Sequence, residues 1–526
     1  MRGVAAIVVA LIALLVSGGA AAAILRIGNG PEVESLDPQR ASSVSALNVA
    51  RDLYEGLTRI ADDGHIVPAA ARGWQLSADG RRYTFDLRDN LRWSNGDALT
   101  ADDFVAGLRR VVDPRTGAPY AQLLSPIANA PAIVAARAPP EMLAVWALSP
   151  TRLQILLREP TPYFLSLLAH PAASPIHRPS LAQYGREFAR PGRLVSNGAF
   201  RLDQWIVQSQ LSLVRNPHYW DDARTRLDGV VYLPFDDVAS ELKRFRAGEL
   251  DVTSEIPLVQ APQLRERYGA QLHVATYLGS YFYGINMTRP PLGESRALRR
   301  ALAMVIDREL IVGKVMNGLA QPAYGWVPPG VAGYQAQRVD WAEWPMPRRI
   351  AEARRLYAAA GYSAQNPLQV ELRYNTHDDH KRIATVVAAM WKQTLGVHAT
   401  LINEENKVFL AKRRLRRETE IFRAAWMGDY DDASTYLDVL ASDNGRNDMG
   451  WRDARYDALL ADAARQTDPA RRAALLEEAE RRALDAMPAI PIYWYVSKHL
   501  LGPRVRGWRD NLLDVHYSKD LSVGSE

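Results

Sequence analysis

A chain of 526 residues, 48% apolar and 23% charged, has an ordinary globular composition but exceeds what one hydrophobic core normally supports, so two or three domains are expected. Its formal charge of +5 is a mild excess without a basic stripe and gives no case for nucleic acid. The absence of cysteine excludes disulfides, zinc–thiolate and iron–sulfur centres, a cysteine nucleophile and the acylated cysteine of a lipoprotein.

In chain order, Met1-Arg2, an apolar run over 4–16 and small residues over 17–23 have the order of a secretory signal peptide. The run is short for a membrane span. Cleavage within 20–23 and a free periplasmic protein are therefore expected. Residues 25–28 read as a first strand. The segment 74–104 is the most informative: a turn at Asp79-Gly80, an alternating strand over 83–88, a turn at Asn95-Gly96, and a helix N-capped by Thr100 with Asp102 and Asp103 in its first turn. Further strands are expected over 151–157, 230–234 and 273–286. Residues 295–315 read as one long amphipathic helix, with others over 349–361, 383–395 and 468–486; Gly361 and Gly396 sit at C-cap positions. Pro-rich joints at 171–179 and 328–329 suggest boundaries, and the class is α/β.

Catalytic chemistry finds little support. His377-Asp378-Asp379-His380 lacks metal-site spacing and suits an acidic helix start, so no metal and no cofactor are expected. Glu404-Glu405, Asp236-Asp237 and Asp431-Asp432 fit surface turns and caps. No GxSxG elbow, Walker A or GxGxxG motif occurs. Aromatic residues instead concentrate at 277–283, 426–430 and 493–495, which suits either core packing or the walls of a ligand cavity.

Segment 74–104 closely resembles the signature of the family 5 solute-binding proteins that serve peptide ABC importers. The likeness, specifically to the oligopeptide-binding branch, continues through SLDPQ (35–39), RDLYEGL (51–57), EPTPYF (159–164), SNGAFRLDQW (196–205), GINMTRPPL (284–292), PAYGWVPPG (322–330), RAAWMGDYDDASTYL (423–437), PIYWYV (491–496) and YSKDL (517–521). The resemblance implies a periplasmic-binding-protein-like cluster C fold, with two lobes, two hinge strands from the terminal part of the chain, and an additional domain. The expected division is a signal peptide at 1–23, a discontinuous domain I (24–54, 180–278, 496–526), domain II (55–179) and domain III (279–495).

It also implies capture of an extended peptide by main-chain pairing, delivery to ABC transporter permease subunits, and a monomer. By the same resemblance Asp429 takes the peptide's α-ammonium, Trp426, Met427 and Gly428 belong to the strand beside the peptide, Tyr120 lines the cavity, and Asn375 is a further candidate. Arg423, His380 and either Arg413 or Arg414 receive the C-terminal carboxylate. The chain departs from the branch where two glutamates that compensate these arginines become Ser42 and Gly284, and where a wall tryptophan becomes Asn406. A preference for short or acidic peptides, murein peptides among them, is therefore expected, with a murein-peptide receptor as the variant reading and a secreted hydrolase as the alternative of another class.

Overall fold

The computed structural model describes residues 22–524; the expected leader lies outside them apart from its last two positions. Three larger sheets, each with its own core, organise the chain. In the first, Ile24–Gly28 pairs in parallel with Gly229–Leu233, which continues antiparallel into Gln210–Arg215 and Phe200–Ile206. The second is the antiparallel set Ala71–Leu76, Arg82–Leu87, Arg152–Leu156 and Val145–Ser149. The third has the order Gln321–Pro322, Ala489–Leu500, Leu272–Ile285, Ile421–Met427, Gln369–Asn375, His398–Glu404. Its core is the largest and comes from residues between Leu278 and Tyr493.

The molecule is a two-lobed α/β protein of periplasmic-binding-protein type. Leu272–Ile285 and Ala489–Leu500 pair antiparallel and cross between packing environments. At one end Leu272, Val274, Val496 and Leu500 pack with Leu242 and Leu264; at the other, Tyr281, Tyr283, Ile490 and Ile492 enter the large core. The ladder shifts register between Thr276 and Ser280. One crossing strand thus comes from mid-chain, not both from the terminal part, because the long antiparallel pair joins distant parts of the sequence.

The 74–104 segment folds as its pattern dictates. Tyr83, Phe85 and Leu87 are buried on one face of Arg82–Leu87, each contributing about 1.5–3 kcal/mol of apolar burial. Gly80 and Gly96 take positive φ at the two turns. The helix Ala101–Val112 follows, with the Thr100 N–H donating to the Asp103 carboxylate at 2.9 Å.

The long helix expected over 295–315 is broken. Arg296–Met304 ends, and Asp307 caps a new turn by accepting from the Leu310 N–H at 2.9 Å. Fully buried Arg308 holds the break, donating to the carbonyls of Ala303 and Ile306, both at 3.1 Å, and of Ala323 at 2.7 Å. Apolar periodicity cannot register that competition between a side-chain cap and the i→i−4 ladder. The helix expected from 383 begins earlier, as Asp378–Leu395, with His377 as its N-cap.

Candidate ligand-binding site

Strand Ile421–Met427 pairs with Leu272–Ile285 from Gly279↔Met427 to Ile285↔Ile421. On its other side Gln369–Asn375 reaches it only at Leu372↔Ile421 and Arg373↔Phe422. Beyond Phe422, among the described residues, that edge has no strand beside it. An unpaired row of backbone N–H and C=O groups is a template for another extended chain.

Charged groups flank this edge. Asp429 lies just past the strand, where its N–H donates to the Thr435 hydroxyl at 3.1 Å. Among the described residues no hydrogen bond or ion pair reaches its carboxylate. Asp429 is exposed, yet partial desolvation raises its pKa, while the charge of Arg446 pulls the other way. Arg446 itself sits over the Trp426 ring at 5.1 Å. Trp426 is half-buried with an unpartnered indole N–H, and Met427 is 38% exposed. Gly428 lies so near Leu278 that an added Cβ would stand 2.4 Å from its Cδ2.

Arg423, six residues earlier, donates to the Tyr495 hydroxyl at 3.2 Å and, more weakly, to Asn375 Oδ1 at 3.4 Å. Its guanidinium lies 5.0 Å from the Tyr281 ring centroid. Its Nε is buried without a partner, and among the described residues it has no salt bridge. A half-buried cation held only by neutral groups favours an incoming anion. His380 packs against the same tyrosine, ring centroids 5.6 Å apart, with its Nδ1 unpartnered. Burial, then the charges of Arg423 and His377, push its pKa down to about 3. It is therefore neutral at ordinary pH.

Arg413 and Arg414 part company. Arg413 turns inward, 18% exposed at its side chain, and pairs with Asp448 at 2.6 Å. Arg414 is exposed. The expectation that two arginines lack compensation thus changes: Asp448, across a loop the sequence did not single out, neutralises Arg413, and of the two inward arginines Arg423 is left, among the described residues, without a carboxylate. Gly284 lies under the Phe422 ring, whose atoms stand 2.4 Å from an added Cβ, so an aromatic ring fills the space of a side chain there. Ser42 accommodates a different glutamate, with its N–H donating to Glu34 at 2.6 Å. Burial works against the charge of Glu34, but the Ser43 hydroxyl and the amides of Ser43 and Ser42 hold its carboxyl down at about 2. Asn406 is exposed at the start of the helix Asn406–Leu415.

Tyr120 stands on the other part of the chain, its ring 4.3 Å from that of His170. Burial, and next the negative charge of Asp429, raise its pKa, which puts the two groups within electrostatic reach of each other. Asp429, Trp426 and Tyr120 thus form one region; Arg423, His380 and Asn375 form another, with Arg413 near it. Tyr281 and Tyr495 were legible only as members of aromatic runs. Asp448 and Arg446 carry no sequence signal.

The profile described as bacterial extracellular solute-binding proteins, family 5 Middle, matches residues 65–448. The chain is 37% identical over 499 residues to a periplasmic oligopeptide-binding protein OppA of Salmonella typhimurium, covering 94% of this chain and 91% of that one. It is 39% identical to the probable deoxycholate-binding periplasmic protein YgiS of Escherichia coli, covering 95% and 93% respectively. The fold superposes with a TM-score of 0.87 at 36% identity on an unliganded open form of a periplasmic murein tripeptide binding protein, MppA, covering 96% of this chain and 98% of that one. The chain belongs to the bacterial extracellular solute-binding proteins of family 5.

Proposed function

We propose that this protein is a periplasmic receptor that captures short peptides and delivers them to the permease of an ABC importer. The observation that carries the reading is the open edge of strand Ile421–Met427 beyond Phe422, with an unpaired carboxylate at Asp429 and an arginine lacking a carboxylate at Arg423. A peptide lying along that edge gains main-chain hydrogen bonds of about 0.5–1.5 kcal/mol each, whatever its sequence. Its ammonium meets Asp429 and its carboxylate meets Arg423, each charge-assisted contact contributing about 1.5–3 kcal/mol. Arg423 and Asp429 are at most about 20 Å apart along an extended backbone. With the reach of the arginine subtracted, this suits peptides of roughly three to five residues.

His380 donates to the ligand carboxylate as a neutral ring. Arg413, already paired, contributes field more than contact. Trp426, Met427, Gly428, Tyr120 and Asn375 shape the walls, and Arg414 takes no part. Because Arg423 lacks compensation, carboxylate-rich peptides, murein peptides among them, are the preferred cargo. The protein works as a monomer after removal of a signal peptide, with domains I, II and III divided as the resemblance implies, and it binds without turnover.

The test is parallel incubation with a tripeptide bearing free termini and with deoxycholate, followed by isolation of each complex and mass spectrometry after denaturation. Recovery of intact tripeptide is expected. Shortened products would make the protein a hydrolase, and retention of deoxycholate with no retention of peptide would move the cargo to a steroid carboxylate.

A further inference from the structure

Among residues not assigned to the peptide site, the C-terminal loop meets the crossing strand Ala489–Leu500 at a cluster of two histidines and one aspartate. His499 Nε2 lies 2.9 Å from Asp514 Oδ1, and His516 Nε2 lies 3.1 Å from the same oxygen. One ligand atom from each residue falls within 4.8 Å of the others. The other nitrogen of His499, Nδ1, faces the Thr253 carbonyl at 2.8 Å. A carbonyl only accepts, so Nδ1 carries a hydrogen; at 2.9 Å Nε2 also donates to the Asp514 carboxylate, and this second proton is the one a metal ion displaces on binding Nε2. Imidazoles that ligate metals are held in this way, one nitrogen tied to a backbone carbonyl and the other presented inward.

The surroundings hold the three groups in place. Trp508 stacks on His516 with centroids 3.6 Å apart and meets His499 edge-on at 5.2 Å. Asp514 adopts a left-handed backbone with φ of 52°, a conformation that persists where the surroundings enforce it. Asn511 enforces it, its side-chain oxygen accepting from the N–H groups of Leu513 and Val515, both at 3.2 Å. The Thr253 hydroxyl accepts from the Leu500 N–H at 2.9 Å and fixes the carbonyl's own position. Donors bound tetrahedrally at zinc's usual bond lengths stand roughly 3.3 Å apart. The two nitrogen–oxygen separations need to open by only a few tenths of an ångström, and the imidazole ligand atoms lie within 4.8 Å of each other.

We propose that His499, Asp514 and His516 form a binding site for one borderline divalent cation, zinc above all, tying the C-terminal loop to the crossing strand. Two imidazole nitrogens and one carboxylate oxygen supply three ligands, and the Asp514 side, 25% exposed, leaves room for a water as the fourth.

The experiment is a zinc titration of tag-free, chelator-treated full-length protein against a chromogenic competitor, with His516→Gln, His499→Gln and, as a surface control, His398→Ala. One zinc per chain is expected for the wild type and for His398→Ala, with at least a tenfold loss of affinity in the two glutamine variants. Cobalt substitution reads the same site independently, through visible d–d bands that both glutamine variants abolish. Circular dichroism and thermal melts identify any variant that fails to fold. His516→Gln, at the less buried ring, then carries the comparison alone if His499→Gln unfolds. Absence of stoichiometric zinc in the wild type, or affinity unchanged in a folded His516→Gln, would overturn the proposal.

Discussion

Arg423 and Arg413 show how the same side chain acquires opposite roles from its neighbours. Arg413 is neutralised by Asp448 at 2.6 Å, so its removal leaves an aspartate unpaired and costs stability. Among the described residues Arg423 has only Tyr495, Asn375 and the face of Tyr281, and such neutral contacts offset little of a guanidinium's lost hydration. Arg423→Gln is therefore expected to leave the melting temperature unchanged or higher while weakening a tripeptide with a free carboxylate about 10- to 100-fold. The C-terminal amide should weaken far less in the variant. Calorimetry with the two peptides checks this, and equal losses for both would remove Arg423 from the carboxylate's path. The segment 423–429 was legible through its family resemblance, and Tyr281 and Tyr495 through aromatic clustering. Asp448 was not, because its pairing depends on a loop folding back across the sheet, which no local pattern encodes.

At the scale of elements, turns, caps and alternating strands could be read directly because each rests on contacts within a few residues. The helix after Asn95-Gly96 and the strand before it follow from such local rules. The break within 296–315 did not, since it depends on Arg308 finding carbonyls from Ala323 and Pro491, far along the chain. Helix Ala101–Val112 offers a test in which two effects oppose each other. Gly107→Ala gains about 1 kcal/mol of helix propensity. The new Cβ, however, would lie 2.4 Å from the Ser174 carbonyl oxygen and 3.1 Å from the Pro175 Cα. Backbone atoms cannot rotate aside, and overpacking of this kind costs about 1–3 kcal/mol or more. A lower urea midpoint is expected for Gly107→Ala; an equal or higher one would show that the helix shifts freely.

At the scale of the whole molecule, acid sensitivity and ligand capture meet near the same groups. His170 accepts the Ala172 N–H at Nδ1; burial first, then the charge of Arg51, push its pKa down to about 3, and Tyr120 covers its ring. The folded protein refuses this proton down to about pH 3, whereas the unfolded chain takes it below about pH 6.5. Stability from this group is full above pH 6.5 and falls by about 1.4 kcal/mol per pH unit as pH drops toward 3. His170→Asn, which keeps an acceptor and removes the titration, should lose about 2–3 kcal/mol less than wild type between pH 6.5 and 4.5 in urea unfolding. Identical losses would mean that His170 titrates normally in the fold. The most direct test of peptide capture is calorimetry of one tripeptide in three forms, with free termini, N-acetylated and C-terminally amidated, against wild type and Asp429→Asn. Tight binding of the free form, a loss of about 10- to 150-fold on either modification, and a loss on acetylation that disappears in Asp429→Asn are expected. Equal affinity of all three forms for the wild type would contradict it.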